Sequence, residues 1–469
     1  MEKAPRPGGS LARFRINGIP FDTGFHFTGG LKKNGILCRM LKVLGLIDSV
    51  EPVFLPAERS HRFVFEDAQR SIDLPCGIEA IRRKLASEFP GEQLAIQHYF
   101  DRLEKVYLET ASTDITRLGE HASRLDEERV SLKEVMDGLT DNAMLKGVFA
   151  SLGMCYGVKP SEISFANHSR ICYDLYESTA RFRNGGDALI NAFQDKFKTL
   201  GVETRCSTWV TEFIENGENV VTGALLNSGE EIAFESAILT IHPRQILELI
   251  PSRRISKAFT ERVESFEPSI GFFTVYGMFE GSGESDFGSS IVSLYPSSDF
   301  EAMLDPAYQG QQALVLIGSH EIVDGTPRRV ATLLEPSFPH DVSRWAGTSR
   351  GGRPADYTAY KEKRVADILQ HLHRVQPDFG RDLKVIGSAS VLTYRDYLNS
   401  YDGSAYGIKQ KIGQFNLIGR LPGRSLYAAG QSALLPGVAG AMMSSFIVSR
   451  AIMGKENLGR FINEQLCSN

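Results

Sequence analysis

The residues that could do chemistry sit in short glycine-rich runs far apart in the chain. Residues 430–441 read Gly-Gln-Ser-Ala-Leu-Leu-Pro-Gly-Val-Ala-Gly-Ala. They follow Leu426-Tyr427-Ala428-Ala429, which reads as a buried strand, so Gly430 and Gln431 stand at a strand end, where open α/β sheets place ligands. Gly437 and Gly440 let backbone approach a flat ring and precede a helix start, read from about Gly440, whose N–H groups stabilise negative charge. The plain alternative is a tightly packed glycine turn with no ligand. At the other end Glu2 precedes Gly8-Gly9. Alone, such a glutamate is a solvated terminal charge. An acid followed by a Gly-Gly turn also ends the second strand of a dinucleotide-binding βαβ unit, where it bonds ribose hydroxyls. His26 lies in a further glycine-bearing run, and by itself it reads equally well as a core or loop histidine.

Several other chemistries are excluded. There is no G-x-S-x-G, no H-E-x-x-H and no G-x-G-x-x-G; the one G-x-G triplet, Gly281-Ser282-Gly283, is followed by Asp at 286. His371 and His373 stand two apart on a helix and point away from each other, so no metal site is expected. The six cysteines are scattered without a C-x-x-C pair, which suits reduced thiols in a cytoplasmic chain. With 52 basic and 57 acidic residues the net charge is −5, and no nucleic-acid partner is expected. The 42% hydrophobic and 23% charged content fits an ordinary globular chain of several domains. The 25 uncharged residues between Arg424 and Arg450 are long enough to span a bilayer, but Gln431 and Pro436-Gly437 interrupt them, so strand, turn and helix are expected instead.

These runs need elements to position them. Asn17-Gly18 is a hairpin turn between residues 11–16 and 19–21, and a helix follows over 36–44. Residues 78–180 read mostly helical, with Ser131-Leu132-Lys133-Glu134 as a capping box. Gly185-Gly186-Asp187 opens a helix that Asp187 can cap and Gly201 ends. Three short strands over 209–234, with turns at Asn216-Gly217 and Ser228-Gly229, and an apolar strand at 237–241 come next, the pattern of a meander set on a parallel sheet. Strands at 271–279 and 313–317, an exposed loop at 346–354 and a long helix at 357–375 complete the reading.

Together the runs carry a family resemblance. Glu2-Lys3-x-x-Arg6-Pro7-Gly8-Gly9-Ser10, Asn17-Gly18 and Phe21-Asp22-Thr23-Gly24-x-His26-x-x-Gly29-Gly30 resemble the flavoproteins related to phytoene desaturase, a group that includes carotenoid desaturases, carotenoid isomerases and retinol saturase. Gly185-Gly186 with its helix, meander and the run 237–243 is similar to that family's second cofactor segment. Residues 394–407, ending Gly403-Ser404-Ala405-Tyr406-Gly407, resemble its pre-terminal motif, nearest the retinol saturase branch, and 426–441 its C-terminal FAD motif.

The resemblance implies an α/β fold: an FAD-binding, Rossmann-like parallel sheet with an antiparallel meander and an inserted α+β substrate domain. The cofactor domain would comprise residues 1–77, 184–265 and 386–469, the substrate domain a helical part at 78–183 and strands and helix at 266–385. It implies FAD, held by Glu2, Gly8, Gly9, Ser10, Gly24, Val210, Gly430, Gln431, Pro436, Gly437, Gly440 and Ala441, with Val210 bonding adenine through its backbone and the 22–30 loop beside the isoalloxazine. His26 and Tyr406 are the candidate catalytic groups. Ser10 stands where many relatives have Arg. The family's first strand, phosphate-binding glycines and first helix, about 30 residues, would precede Glu2, so a shortened gene model with weak FAD binding is expected. The activity implied is hydride movement between a C–C bond of a lipophilic polyene and flavin N5, the cofactor supplying the chemistry. An amine-oxidase-like flavoenzyme and a non-catalytic remnant are the alternatives. Any membrane contact is expected to be peripheral, on an inner face, through the helical block 78–180.

Overall fold

The computed structural model describes residues 1–118, 125–216, 220–279 and 290–467. Its largest element is a seven-stranded sheet. In spatial order the strands are Leu383–Ala389, Gly271–Phe279, Thr326–Ser337, Leu314–Val323, Ile291–Tyr295, His61–Phe65 and Arg70–Leu74. All neighbours pair antiparallel except Ile291–Tyr295 with His61–Phe65. The two-residue period of a strand sorts its side chains onto two apolar layers. Phe63 and Phe65 face a cluster built with the helices Ile78–Glu88, Gln93–Glu109 and Phe165–Glu177, while Val64 between them faces Ile368 and Leu372 of the long helix Ala355–Val375. Both faces are covered, which is why Gly271–Phe279 is a nearly unbroken apolar run.

A smaller three-stranded sheet carries the expected parallel pairing: Ala237–Leu239 runs parallel to Leu426–Ala428, and Gly419–Arg420 closes the other side antiparallel. Among the described residues the fold has two parallel pairs, this one and Ile291–Tyr295 with His61–Phe65 in the large sheet. The meander Val210–Glu215, Val221–Leu226 and Glu231–Ala233 forms as read, although Gly217 of its first turn, like the 281–283 triplet, lies outside the described residues. Residues 2–4 lie beside 205–208: the Glu2 and Thr208 N–H groups donate to the carbonyls of Arg205 and Glu2 at 2.8 and 3.0 Å.

Several local expectations hold. Arg13–Ile16 and Ile19–Asp22 form the hairpin, with Asn17 and Gly18 both at positive φ, as a tight turn between twisted strands requires. Ser131 and Glu134 form the reciprocal capping box. Gly201 ends the helix Gly186–Leu200 in the left-handed region.

Others are corrected. Asp187 does not cap that helix; its carboxylate accepts the Arg13 N–H at 2.8 Å. The reason is close approach: a Cβ on Gly186 would overlap the Leu11 carbonyl, so residues 11–13 press against the helix start and take the acid for themselves. The C-terminal helix begins at Gly437 rather than near Gly440, because Pro436, which has no N–H to satisfy, sits directly at its N-cap. The strands of the hairpin 61–74 pair into the large sheet.

The two ends of the chain meet. Leu11, Leu37, Leu41, Leu189, Leu435, Val438 and Phe446 belong to one apolar cluster. No helix among the described residues is long and apolar enough to cross a membrane.

Candidate functional site

Strand Leu426–Ala428 delivers the chain to Gly430, whose φ of +99° suits glycine. The Gly430 N–H donates to Ser444 Oγ at 2.7 Å, and that buried hydroxyl donates to the Ala441 carbonyl at 2.6 Å. One serine thus ties the strand end to the C-terminal helix and fixes the span 431–436 between them. The helix Gly437–Met453 has no side-chain cap, so its first N–H groups are left for another acceptor, and the helix dipole favours an anionic one.

The glycines separate into two kinds. Gly437 (φ +80°) is exposed, and a Cβ built there would meet nothing within 4 Å. Gly9 (φ +51°) is equally open. Gly8 and Gly440 are packing glycines: a Cβ on Gly8 would overlap Ile190, and one on Gly440 would overlap the Leu435 carbonyl oxygen and stand 2.6 Å from its carbon. Gly24 is intermediate in kind, since its Cβ would lie 3.2 Å from Ser10 Cβ and carbonyl oxygen, which lays the 22–30 loop over the Gly-Gly turn. Open backbone at Gly9 and Gly437, with an uncapped helix terminus at the second, fits a flat anionic group. The packing of Gly8 and Gly440 accounts for those residues without one.

The remaining predicted residues fall into neighbouring pairs. Glu2 is half-buried beside 205–208, two residues before Val210, and its carboxylate accepts the Ala4 N–H at 2.8 Å; Val210 itself pairs with Leu226 as the first residue of the meander. Gly407 abuts Ser432, whose hydroxyl occupies the place of a Cβ, so the pre-terminal and C-terminal motifs are in contact. Residues 405–407 are strapped to the start of strand Gly271–Phe279 by Ala405 N–H to Ile270 carbonyl (2.9 Å) and Ser269 N–H to Gly407 carbonyl (2.8 Å).

The two candidate catalytic groups differ. Tyr406 donates its hydroxyl to the Met154 carbonyl at 2.9 Å and packs edge-on to Phe272, and burial holds its proton far above the usual tyrosine range. That hydroxyl links the motif to the helical block. His26 lines a small cavity of about 10 Å³ with Phe27, Leu55, Arg181, Ser290 and Ile317. Burial pushes its pKa down to about 4, so the imidazole is neutral at pH 7. The neighbouring Phe25 stacks on Phe182 and joins the cluster that holds Leu435.

One constellation escaped the sequence reading. Arg13 Nε meets Asp22 Oδ1 at 2.9 Å, and its Nη2 meets Glu321 Oε1 at 2.6 Å. Ser319 Oγ supports Glu321 at 2.9 Å, and half-buried Arg181 donates to the Gly318 carbonyl. Burial raises Asp22 to about 6 against the pull of Arg13. This cluster fastens the root of the 22–30 loop to the large sheet. Gly185 makes room for it, because a Cβ there would overlap Asp22 Oδ1. Sequence held no signal for it: Arg13 and Arg15 share one side of a strand, and only Arg13 is buried.

Comparison with known proteins gives three findings. The sequence pattern of the family described as "Flavin containing amine oxidoreductase" matches residues 1–301. An all-trans-retinol 13,14-reductase of Macaca fascicularis is 22% identical over 508 residues, covering 98% of this chain and 82% of its own length. Among solved structures, an oxidoreductase from Methanosarcina mazei superposes with a TM-score of 0.65 at 14% identity, covering 97% of this chain and 93% of its own, and putrescine oxidase bound to putrescine with 0.60 at 12%, covering 97% and 93%. At these identities the structural likenesses speak to the fold.

Proposed function

The chain belongs to the flavin-containing amine oxidoreductase family, and on that premise we propose that it is an FAD-dependent oxidoreductase that reduces a C=C bond in a lipophilic, retinoid-like polyene. The observation that carries the substrate class is the retinol 13,14-reductase, which aligns over 98% of this chain. Putrescine oxidase shares the fold alone, so the amine-oxidase reading has the weaker support.

In this reading Gly9 and Gly437 give the cofactor room, the uncapped N–H groups of the Gly437 helix hold its negative charge, Glu2 takes ribose hydroxyls, and the backbone at Val210 takes adenine. When bound, flavin supplies a hydride as a two-electron carrier. The chain's own residues orient and enclose. Ser444 and the Arg13–Asp22–Glu321 cluster hold the two glycine segments in place, and Phe27, Leu55 and Ile317 line a small cavity with His26. Being neutral at pH 7, His26 can orient a polar group without adding charge to an apolar site.

The test is a flavin absorbance spectrum of the purified chain, followed by anaerobic incubation with all-trans-retinol and a reductant and chromatography for a dihydro product. A flavin spectrum with product supports the proposal. Bound flavin that oxidises putrescine and leaves retinol untouched favours the amine-oxidase reading, and a colourless chain favours the remnant.

A further inference from the structure

On the outer edge of the large sheet, the long helix Ala355–Val375, the edge strand Leu383–Ala389 and the helix Val391–Leu398 enclose a groove of about 790 Å³. That lies within the range of small-molecule sites, roughly 300–1,000 Å³. The groove is polarised along its length. At one end are Arg350, Arg353 and Lys361; at the other, Val365, Leu369, Val385 and Ile386. Along the helix the rise separates Lys361 from Leu369 by about 12 Å.

The cations at the polar end are incompletely neutralised. Lys361 Nζ donates to the Ser388 carbonyl at 2.6 Å, and no carboxylate pairs with it among the described residues. Burial and the nearby Arg353 both work against its charge. Arg353 pairs with Asp396 and lies 4.7 Å over the Tyr357 ring, but its buried Nε has no hydrogen-bond partner. Arg350 is exposed and rests on the Tyr397 ring at 4.5 Å without an acid. Exposed Glu362 also lines the groove, and Asp396 is shared between Arg353 and Arg395. An anion at this end would relieve a partly buried lysine and complete an arginine, while a hydrocarbon chain would cover the apolar end.

We propose that this groove binds a monomeric anionic amphiphile, a long-chain carboxylate, with its head between Arg350 and Lys361 and its chain along Val365, Leu369, Val385 and Ile386. None of these residues belongs to the glycine cradle, so the groove is independent of flavin binding.

The full chain would be titrated with 11-(dansylamino)undecanoate, with oleate and oleyl alcohol as competitors. Arg350→Ala combined with Lys361→Met is expected to weaken probe binding about tenfold or more, the loss of charge-assisted hydrogen bonds. Oleate should displace the probe and oleyl alcohol should not. Arg350→Ala alone, on an exposed side chain, guards against misfolding and should weaken binding in the same direction. Unchanged binding in both variants overturns the proposal, as does equal competition by the alcohol. Probe captured only by phosphatidylglycerol vesicles, with none bound by the free chain, also overturns it.

Discussion

Gly437 and Gly440 stand three residues apart in one motif, and their surroundings differ: one faces open space, the other a neighbour's backbone. Gly440→Ala places a methyl onto the Leu435 carbonyl, with backbone atoms as the obstacle. Backbone cannot swing aside as a side chain can, so the cost should reach about 3 kcal/mol, the upper part of the overpacking range. Gly437→Ala meets no atom within 4 Å and carries only the cost of positive φ, about 1–2 kcal/mol. It does, however, set a methyl in front of the helix N-terminus. The assay is thermal melting of flavin-free protein together with the flavin-to-protein absorbance ratio of protein purified with excess FAD. Gly440→Ala is expected to melt well below the parent. Gly437→Ala should melt within a few degrees of it and yet lose most of its flavin. A parental melting temperature for Gly440→Ala, or a full flavin complement in Gly437→Ala, would refute the division.

Three further outcomes are expected. Ser444→Ala leaves the Gly430 N–H without its partner in a buried place, so stability should fall by about 1–3 kcal/mol, with flavin retention falling alongside; denaturant titration and absorbance check both. Asp22 has a folded pKa raised to about 6 above an ordinary value near 4, so its protonated form favours folding; that contribution is complete below about pH 4 and is lost as pH rises through 6. Subtracting the stability-versus-pH curve of Asp22→Asn from the parent's should therefore give a difference that declines across pH 4–6, and a flat difference contradicts the effect of burial on Asp22. Tyr406→Phe removes one hydroxyl bond to Met154 and should cost about 1 kcal/mol in stability, whereas His26→Ala should act on turnover; if kcat is unchanged in both variants, neither is catalytic.

What could be read from sequence was local. The Asn17-Gly18 turn, the Ser131 capping box, the Gly201 helix end and the strand Gly271–Phe279 all lie where residue chemistry and period place them, because each depends on residues a few positions apart. The glycine motifs were legible as a set for the same reason. Tertiary structure decided the rest. It drew the 61–74 hairpin into the large sheet, turned Asp187 from cap to partner of Arg13, buried Arg13 while leaving Arg15 in water, and bound the Tyr406 hydroxyl to a carbonyl of the helical block. It also decided which glycines face open space and which face a neighbour's backbone. A turn or a period is a property of the chain itself. Burial, and the partner a polar group finds, depend on atoms brought close by folding from hundreds of residues away, and no local pattern encodes their arrival.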